Sequence, residues 1–213
     1  MKKQSLLFLL PVLFAFLALQ GWGFAYKAGV TLSCLLIILL THKSNLKKPS
    51  DTWFIILAFI FSIIGDWFLS NKGDSFMMFA AGIGLYFIAH GGYLAYALSN
   101  GKFNLPFIAV VLFAYLVFFF WVLWPVIEEP ILLFATLIYL LISCFSLGAS
   151  VNLKNPPLVK WSYFIGIALI LFSDTIISFK EFTTYQELNF LILPTYYAAH
   201  MVITYSLVEK LND

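Results

Sequence analysis

Eight apolar runs, each about as long as a bilayer is thick, fill this chain almost from end to end. They cover residues 5–22, 24–41, 52–70, 75–98, 105–124, 130–150, 158–180 and 189–209. About 20 apolar residues in a helix cross the hydrocarbon core. Short polar or Gly/Pro segments separate the runs, at Gly21–Gly23, His42–Asp51, Asn71–Asp74, Ser99–Asn104, Pro125–Pro130, Asn152–Pro157 and Glu181–Glu187. None of these is long enough for a domain outside the membrane. Charged residues are 10% of the chain, against roughly 25% in soluble domains, so a water-facing surface cannot be assembled. The runs are continuous rather than alternating, which excludes an outer-membrane barrel. The expected fold is an all-α integral membrane protein with eight transmembrane helices in one transmembrane domain spanning 1–213.

The first run also fits a signal peptide, because Lys2 and Lys3 precede it. No small-x-small cleavage site follows, and the run is long enough to span. Cys34 and Cys144 lie inside apolar runs and read as small core side chains rather than a disulfide. All twelve basic residues are lysines, with no basic tract for nucleic acid. With eight spans, one side holds Lys2, Lys3, Lys43, Lys47, Lys48, Lys102, Lys154, Lys160 and Lys210. The other holds Lys27, Lys72 and Lys180, with Glu128 and Glu129. That asymmetry puts both termini in the cytoplasm of a cell-membrane protein.

The chain also reads as two parallel four-helix repeats, about 1–104 and about 105–213. Asn45-Leu46-Lys47-Lys48-Pro49 returns as Asn152-Leu153-Lys154-Asn155-Pro156, and Trp53 as Trp161. Gly65-Asp66 with Ser70 matches Ser173-Asp174 with Ser178. Tyr86 and His90 match Tyr196 and His200, and Ser33-Cys34 matches Ser143-Cys144. An even number of spans per half gives both halves the same orientation, related by an axis along the membrane normal.

Asp66 and Asp174 are the acidic residues set well inside runs. A charged side chain at a helix centre costs about 2.5–3.5 kcal/mol on insertion scales, so such groups face a bundle interior or wet cavity. Repeat-related carboxyls at one depth imply one shared site, where one can serve as acid and the other as base. Tyr86, His90 and Tyr93 fall on one helix face, and Tyr196 with His200 repeats the first pair. These are expected to line the pocket. Their spacing matches no standard metal-ligand motif, and no cofactor is expected. Ala80, Gly84, Gly91, Gly92, Gly148 and Gly166 are expected to let helices approach closely. Paired intramembrane acids in a two-fold repeat fit a lipid hydrolase, a proton-coupled or small-solute transporter, or an inert assembly protein. Neither Asp-bearing run has the mid-helix Gly/Pro break of many transporters.

At these residues the sequence resembles the YhhN-like lysoplasmalogenase family. The resemblance is strongest from Ile63-Ile64-Gly65-Asp66-Trp67-Phe68-Leu69 through Gly82 to Ala89-His90-Gly91-Gly92-Tyr93. It recurs from Leu171-Phe172-Ser173-Asp174 to Tyr196-Tyr197-Ala198-Ala199-His200. The resemblance implies a hydrolase of lipid metabolism that cleaves the vinyl ether bond of lysoplasmalogens to a fatty aldehyde and a glycerophospho-amine. Its partners would be a lysophospholipid substrate and membrane lipid. It carries the catalytic pair over to Asp66 and Asp174.

The lysine asymmetry makes a topological prediction. Reporter fusions after Asp213 and within 45–50 should report cytoplasm, and a fusion beside Glu128 should report the opposite side.

Overall fold

The computed structural model describes residues 6–43 and 50–211. Lys2, Lys3, Ser5 and the Asn45–Pro49 motif lie outside the described residues, as do Asn212 and Asp213. Among the described residues the helices are α1 (Leu9–Leu19, led in by a 3-10 turn at Leu6–Phe8), α2 (Phe24–Thr41), α3 (Thr52–Asn71), α4 (Phe76–Ser99), α5 (Leu105–Phe118), α6 (Pro130–Ser150), α7 (Pro157–Phe182) and α8 (Ile192–Lys210). A π-helical segment, Phe119–Leu123, extends α5, and a 3-10 turn at Asn189–Leu191 opens α8. Among the described residues seven helices are long and apolar enough to cross a membrane. The first is shorter than expected: the apolar stretch Leu6–Leu19 is about 21 Å at 1.5 Å per residue, less than a bilayer core. Glycines stop it, because Gly21 and Gly23 take φ of 80° and 100°, where side chains with a Cβ are disfavoured.

Local signals set the other boundaries. The Ser75 hydroxyl accepts from the Met78 amide at 3.3 Å and opens α4. The Asn104 side chain accepts from the Phe107 amide at 3.2 Å and opens α5. Pro130 and Pro157 stand at the first positions of α6 and α7, where a missing N–H costs nothing. All six tryptophans are exposed. Trp53 and Trp161 sit near the starts of α3 and α7, Trp67 near the end of α3, and Trp121 and Trp124 at the end of α5. This is the placement of aromatic belts at membrane interfaces.

The bundle is built from packed pairs: α3 on α4, α7 on α8, α4 on α6, α2 on α8, α1 on α2 and α5 on α6. Several glycines permit close helix contacts. A Cβ at Gly92 would lie 2.5 Å from the Phe54 carbonyl oxygen, and one at Gly166 would lie 2.5 Å from Ile203. Gly148 is likewise closed by Ile108. Gly84 and Gly91 differ from expectation, since a Cβ at either meets nothing within 4 Å. Cys34 and Cys144 are free and buried in the apolar core.

Connections alternate between two ends of the bundle. At one end Lys154 N–H donates to the Asn100 carbonyl at 2.9 Å, and Gly101 pairs with Leu153. A polar clamp closes the same end. Lys210 Nζ donates to Asp51 Oδ2 at 2.6 Å and to Asn100 Oδ1 at 2.7 Å, and Asn100 Nδ2 donates to Asp51 Oδ2 at 2.5 Å. The ammonium also lies 5.0 Å from the centroid of the Tyr96 ring. The clamp ties the start of α3 to the ends of α4 and α8. The opposite end is tied by Lys72 and Glu181, 2.9 Å apart.

Partial burial alone would raise the Asp51 pKa, but the bonds from Lys210 and Asn100 outweigh it and hold the carboxyl below its ordinary 3.8. Its stabilising contribution is therefore complete above the unfolded value near 3.8 and is lost as pH falls through the lower folded value. Asp51→Asn should destabilise the purified protein by about 1–3 kcal/mol at neutral pH. In melts at successive pH values, the gap between variant and wild type should close as the medium is acidified through that window.

Candidate functional site

Asp66 lies five residues before the end of α3 at Asn71, and Asp174 eight before the end of α7 at Phe182. Both therefore sit toward the end tied by Lys72 and Glu181, about 8 and 12 Å from their helix termini. Each is partly buried and each meets tyrosine hydroxyls. Tyr86, from α4, donates its hydroxyl to Asp66 Oδ1. Tyr196, from α8, donates to Asp66 Oδ2 at 3.2 Å. The two hydroxyls are 3.5 Å apart, so both halves of the chain converge on one carboxylate. Gly65 makes this possible, because a Cβ there would stand 3.1 Å from the Tyr86 ring.

Asp174 accepts a hydroxyl from Tyr139 of α6 at Oδ2. Nε2 of His90 is 3.8 Å from the same oxygen, within ion-pair reach but too far for a hydrogen bond. His90 is fully buried, neither ring nitrogen has a hydrogen-bond partner among the described residues, and its ring packs edge-on against Tyr139 at 5.2 Å.

Two of the cavities that open onto these carboxyls share Leu69, Tyr86 and Ile177 in their walls. The larger, about 310 Å³, holds Asp66, Ser70, Tyr196 and Tyr197, with Lys27, Lys180 and Glu181 around it. The smaller, about 40 Å³, is a narrow slot beside Asp174 walled by Phe79, Ile83, Thr136, Tyr139 and Phe182. Tyr86 belongs to both and bonds Asp66, so the acids stand on either side of it. A polar chamber thus adjoins an apolar slot, each with its own carboxyl.

The expected lining residues divide into two groups. Tyr86 and Tyr196 touch Asp66 and line the large cavity. His90 faces Asp174 without lining either cavity. Tyr93 and His200 lie away from both cavities. The Tyr93 hydroxyl is 3.5 Å from Ser62, and Nδ1 of His200 is 3.0 Å from the Tyr196 carbonyl one turn earlier. His200 also packs on Phe59 at 4.8 Å, so the helical stripe that groups it with Tyr196 runs from the site into the core. Among the described residues no three His, Cys, Asp or Glu side chains converge as a metal ion would need.

Tyr139 is a site residue that the paired motifs overlook, because residue 29, its counterpart at the repeat spacing, is Gly. A signal does exist. Thr136, Tyr139, Ser143, Ser146 and Ser150 recur three and four apart along α6, and the structure turns that stripe inward.

The YhhN family model matches residues 24–207. The chain belongs to the YhhN family. No curated protein and no solved structure matches it. The matched stretch contains α2 to α8 almost whole, and with them both carboxyls and their tyrosine partners.

The open chamber predicts unequal thiol chemistry. Ser70 is exposed and lines the large cavity, whereas Cys34 and Cys144 have no exposed surface. Purified Ser70→Cys should react with a water-soluble maleimide at least about tenfold faster than the two native thiols, since reaction requires access.

Proposed function

We propose that this YhhN protein is a membrane-embedded hydrolase that cleaves the vinyl ether bond of lysoplasmalogens, with Asp66 and Asp174 as its general acid/base pair. The observation that carries the reading is the junction at Tyr86, where a polar chamber holding one carboxyl meets an apolar slot holding the other. A lysolipid has that same division, a polar head joined to a long chain, and its vinyl ether lies at the join. Family membership supports the reading.

The reaction begins with proton transfer from a carboxylic acid to the alkene carbon remote from oxygen, which leaves an oxocarbenium ion. Water adds to the cation, and a proton passes to the second carboxylate. The hemiacetal then collapses to the fatty aldehyde and the freed glycerol hydroxyl. One carboxyl supplies the proton, while its ionised partner steadies the cation and takes the proton from water. The Tyr86, Tyr196 and Tyr139 hydroxyls hold the carboxyls in place.

The lysine asymmetry supports cytoplasmic termini in a cell-membrane protein, with the chamber opening on the far side. The packing supports the two-repeat reading of a single domain of eight helices. The pairs α3–α4, α4–α6 and α1–α2 have counterparts in α7–α8, α8–α2 and α5–α6. Transport is less well supported. Phe59, Tyr93, Tyr96 and Tyr163 are fully buried between the site and the Asp51–Lys210 clamp, so a solute path along the bundle is filled with rings.

Proton transfer by a positioned group is worth about 10²–10⁴-fold. Asp66→Asn and Asp174→Asn should each lower aldehyde release from lysoplasmalogen at least about a hundredfold, with the protein still inserted and folded. The double variant should be little worse than either single one. Near-normal turnover in one variant removes that residue from the pair.

A further inference from the structure

The large chamber carries cationic groups that vinyl ether chemistry does not use. Lys27, in the first turn of α2, and Lys180, near the end of α7, both line it. Among the described residues Lys27 makes no ion pair. Lys180 lies 3.6 Å from Glu181 Oε1, but Glu181 is more closely held, at 2.9 Å, by Lys72. Lys72 does not line the chamber, and its ion pair offsets the Glu181 charge from outside it. The other carboxylate in the wall, Asp66, already accepts a tyrosine hydroxyl on each oxygen. An independent observation points the same way. Tyr197 is 2% exposed and lines the chamber, and its hydroxyl is buried with no hydrogen-bond partner among the described residues. A buried hydroxyl left unpaired is costly, so a ligand atom is the natural partner.

Two ammonium groups line the chamber, the lining residue Tyr197 carries a buried unpartnered hydroxyl, and the complement of these donors is an anion with several acceptor oxygens. A volume of about 310 Å³ falls within the range of small-molecule sites, about 300–1,000 Å³. Given the hydrolase reading above, we infer that Lys27 and Lys180 bind the phosphodiester of a lysophospholipid headgroup, with Tyr197 donating a third hydrogen bond. Anchoring the phosphate there places the chain toward the slot beside Asp174 and the ether bond at Tyr86. Ammonium–phosphate contacts are point-charge attractions that tolerate different headgroup amines. Selection would therefore act on the phosphate rather than on the amine it carries.

The test reads binding, not turnover. Purified protein in neutral detergent is titrated with three probes: an uncleavable 1-O-alkyl lysophosphatidylethanolamine, the matching 1-O-alkylglycerol without phosphate, and chain-free glycerophosphoethanolamine. Lys27→Gln and Lys180→Gln should each weaken the lysophospholipid about tenfold or more, as expected for a lost charged hydrogen bond. Added salt should weaken it in wild type. Tyr197→Phe should weaken it by a smaller factor. Alkylglycerol affinity should stay unchanged in all three variants, which also shows that they remain folded. Lysophospholipid affinity that ignores both lysines, or variants that weaken alkylglycerol equally, would overturn the inference. So would chain-free phosphodiester binding as tightly as the lysolipid, because the ligand would then be water-soluble. If the lysine dependence holds while lysoplasmalogen yields no aldehyde, the hydrolase reading fails and the phosphate subsite stands.

Discussion

A bilayer core offers no water to hydrogen-bond with, and the arrangement of this bundle follows from that deficit. Helices satisfy the backbone, but a carboxyl placed inside a span must find its partners in protein. Asp66 and Asp174 find tyrosines, delivered by α4 and α8 to the first acid and by α6 to the second. A phenol suits this role because its ring packs as apolar surface while its hydroxyl reaches a polar atom. The same bundle can therefore be apolar outside, ring-packed at its centre and polar around two side chains.

That economy makes the two ends of the bundle unlike each other. At the end where α8 finishes, Asp51, Asn100 and Lys210 satisfy one another and lock three helices, with buried tyrosine rings packed beneath. The other end holds the chamber and its lysines. Lys27 has no ion-pair partner there, Tyr197 has no hydrogen-bond partner, and a chamber opens between them among the described residues. One end is thus locked by a polar clamp while the other opens into a chamber.

Close packing depends on a few small residues rather than on all of them. Gly92 and Gly166 sit where helices touch backbone or branched side chains, so a methyl group has nowhere to go. Gly91, beside Gly92, and Gly84, earlier on the same helix, face open space. A small residue is thus a permission to approach, and only the partner helix decides whether the permission is used.

Much of the architecture was legible in the chain, because bilayer thickness imposes a length on each apolar run. Among the described residues seven long helices match those runs closely, and the first helix falls short, with Gly21 and Gly23 following its end. The intramembrane acids were equally legible, since a carboxyl in an apolar run is expensive and stands out. What they touch was not. Tyr139 has no counterpart in the other half, and its inward stripe of Thr and Ser becomes meaningful only when α6 is seen to pack against α4. His200 and Tyr93 share a helical face with residues that do line the site, yet lie deeper and meet core groups. Sequence periodicity fixes the angle at which a side chain leaves its helix. Depth and neighbours depend on how the other helices are shifted along their axes, and only tertiary packing sets that shift.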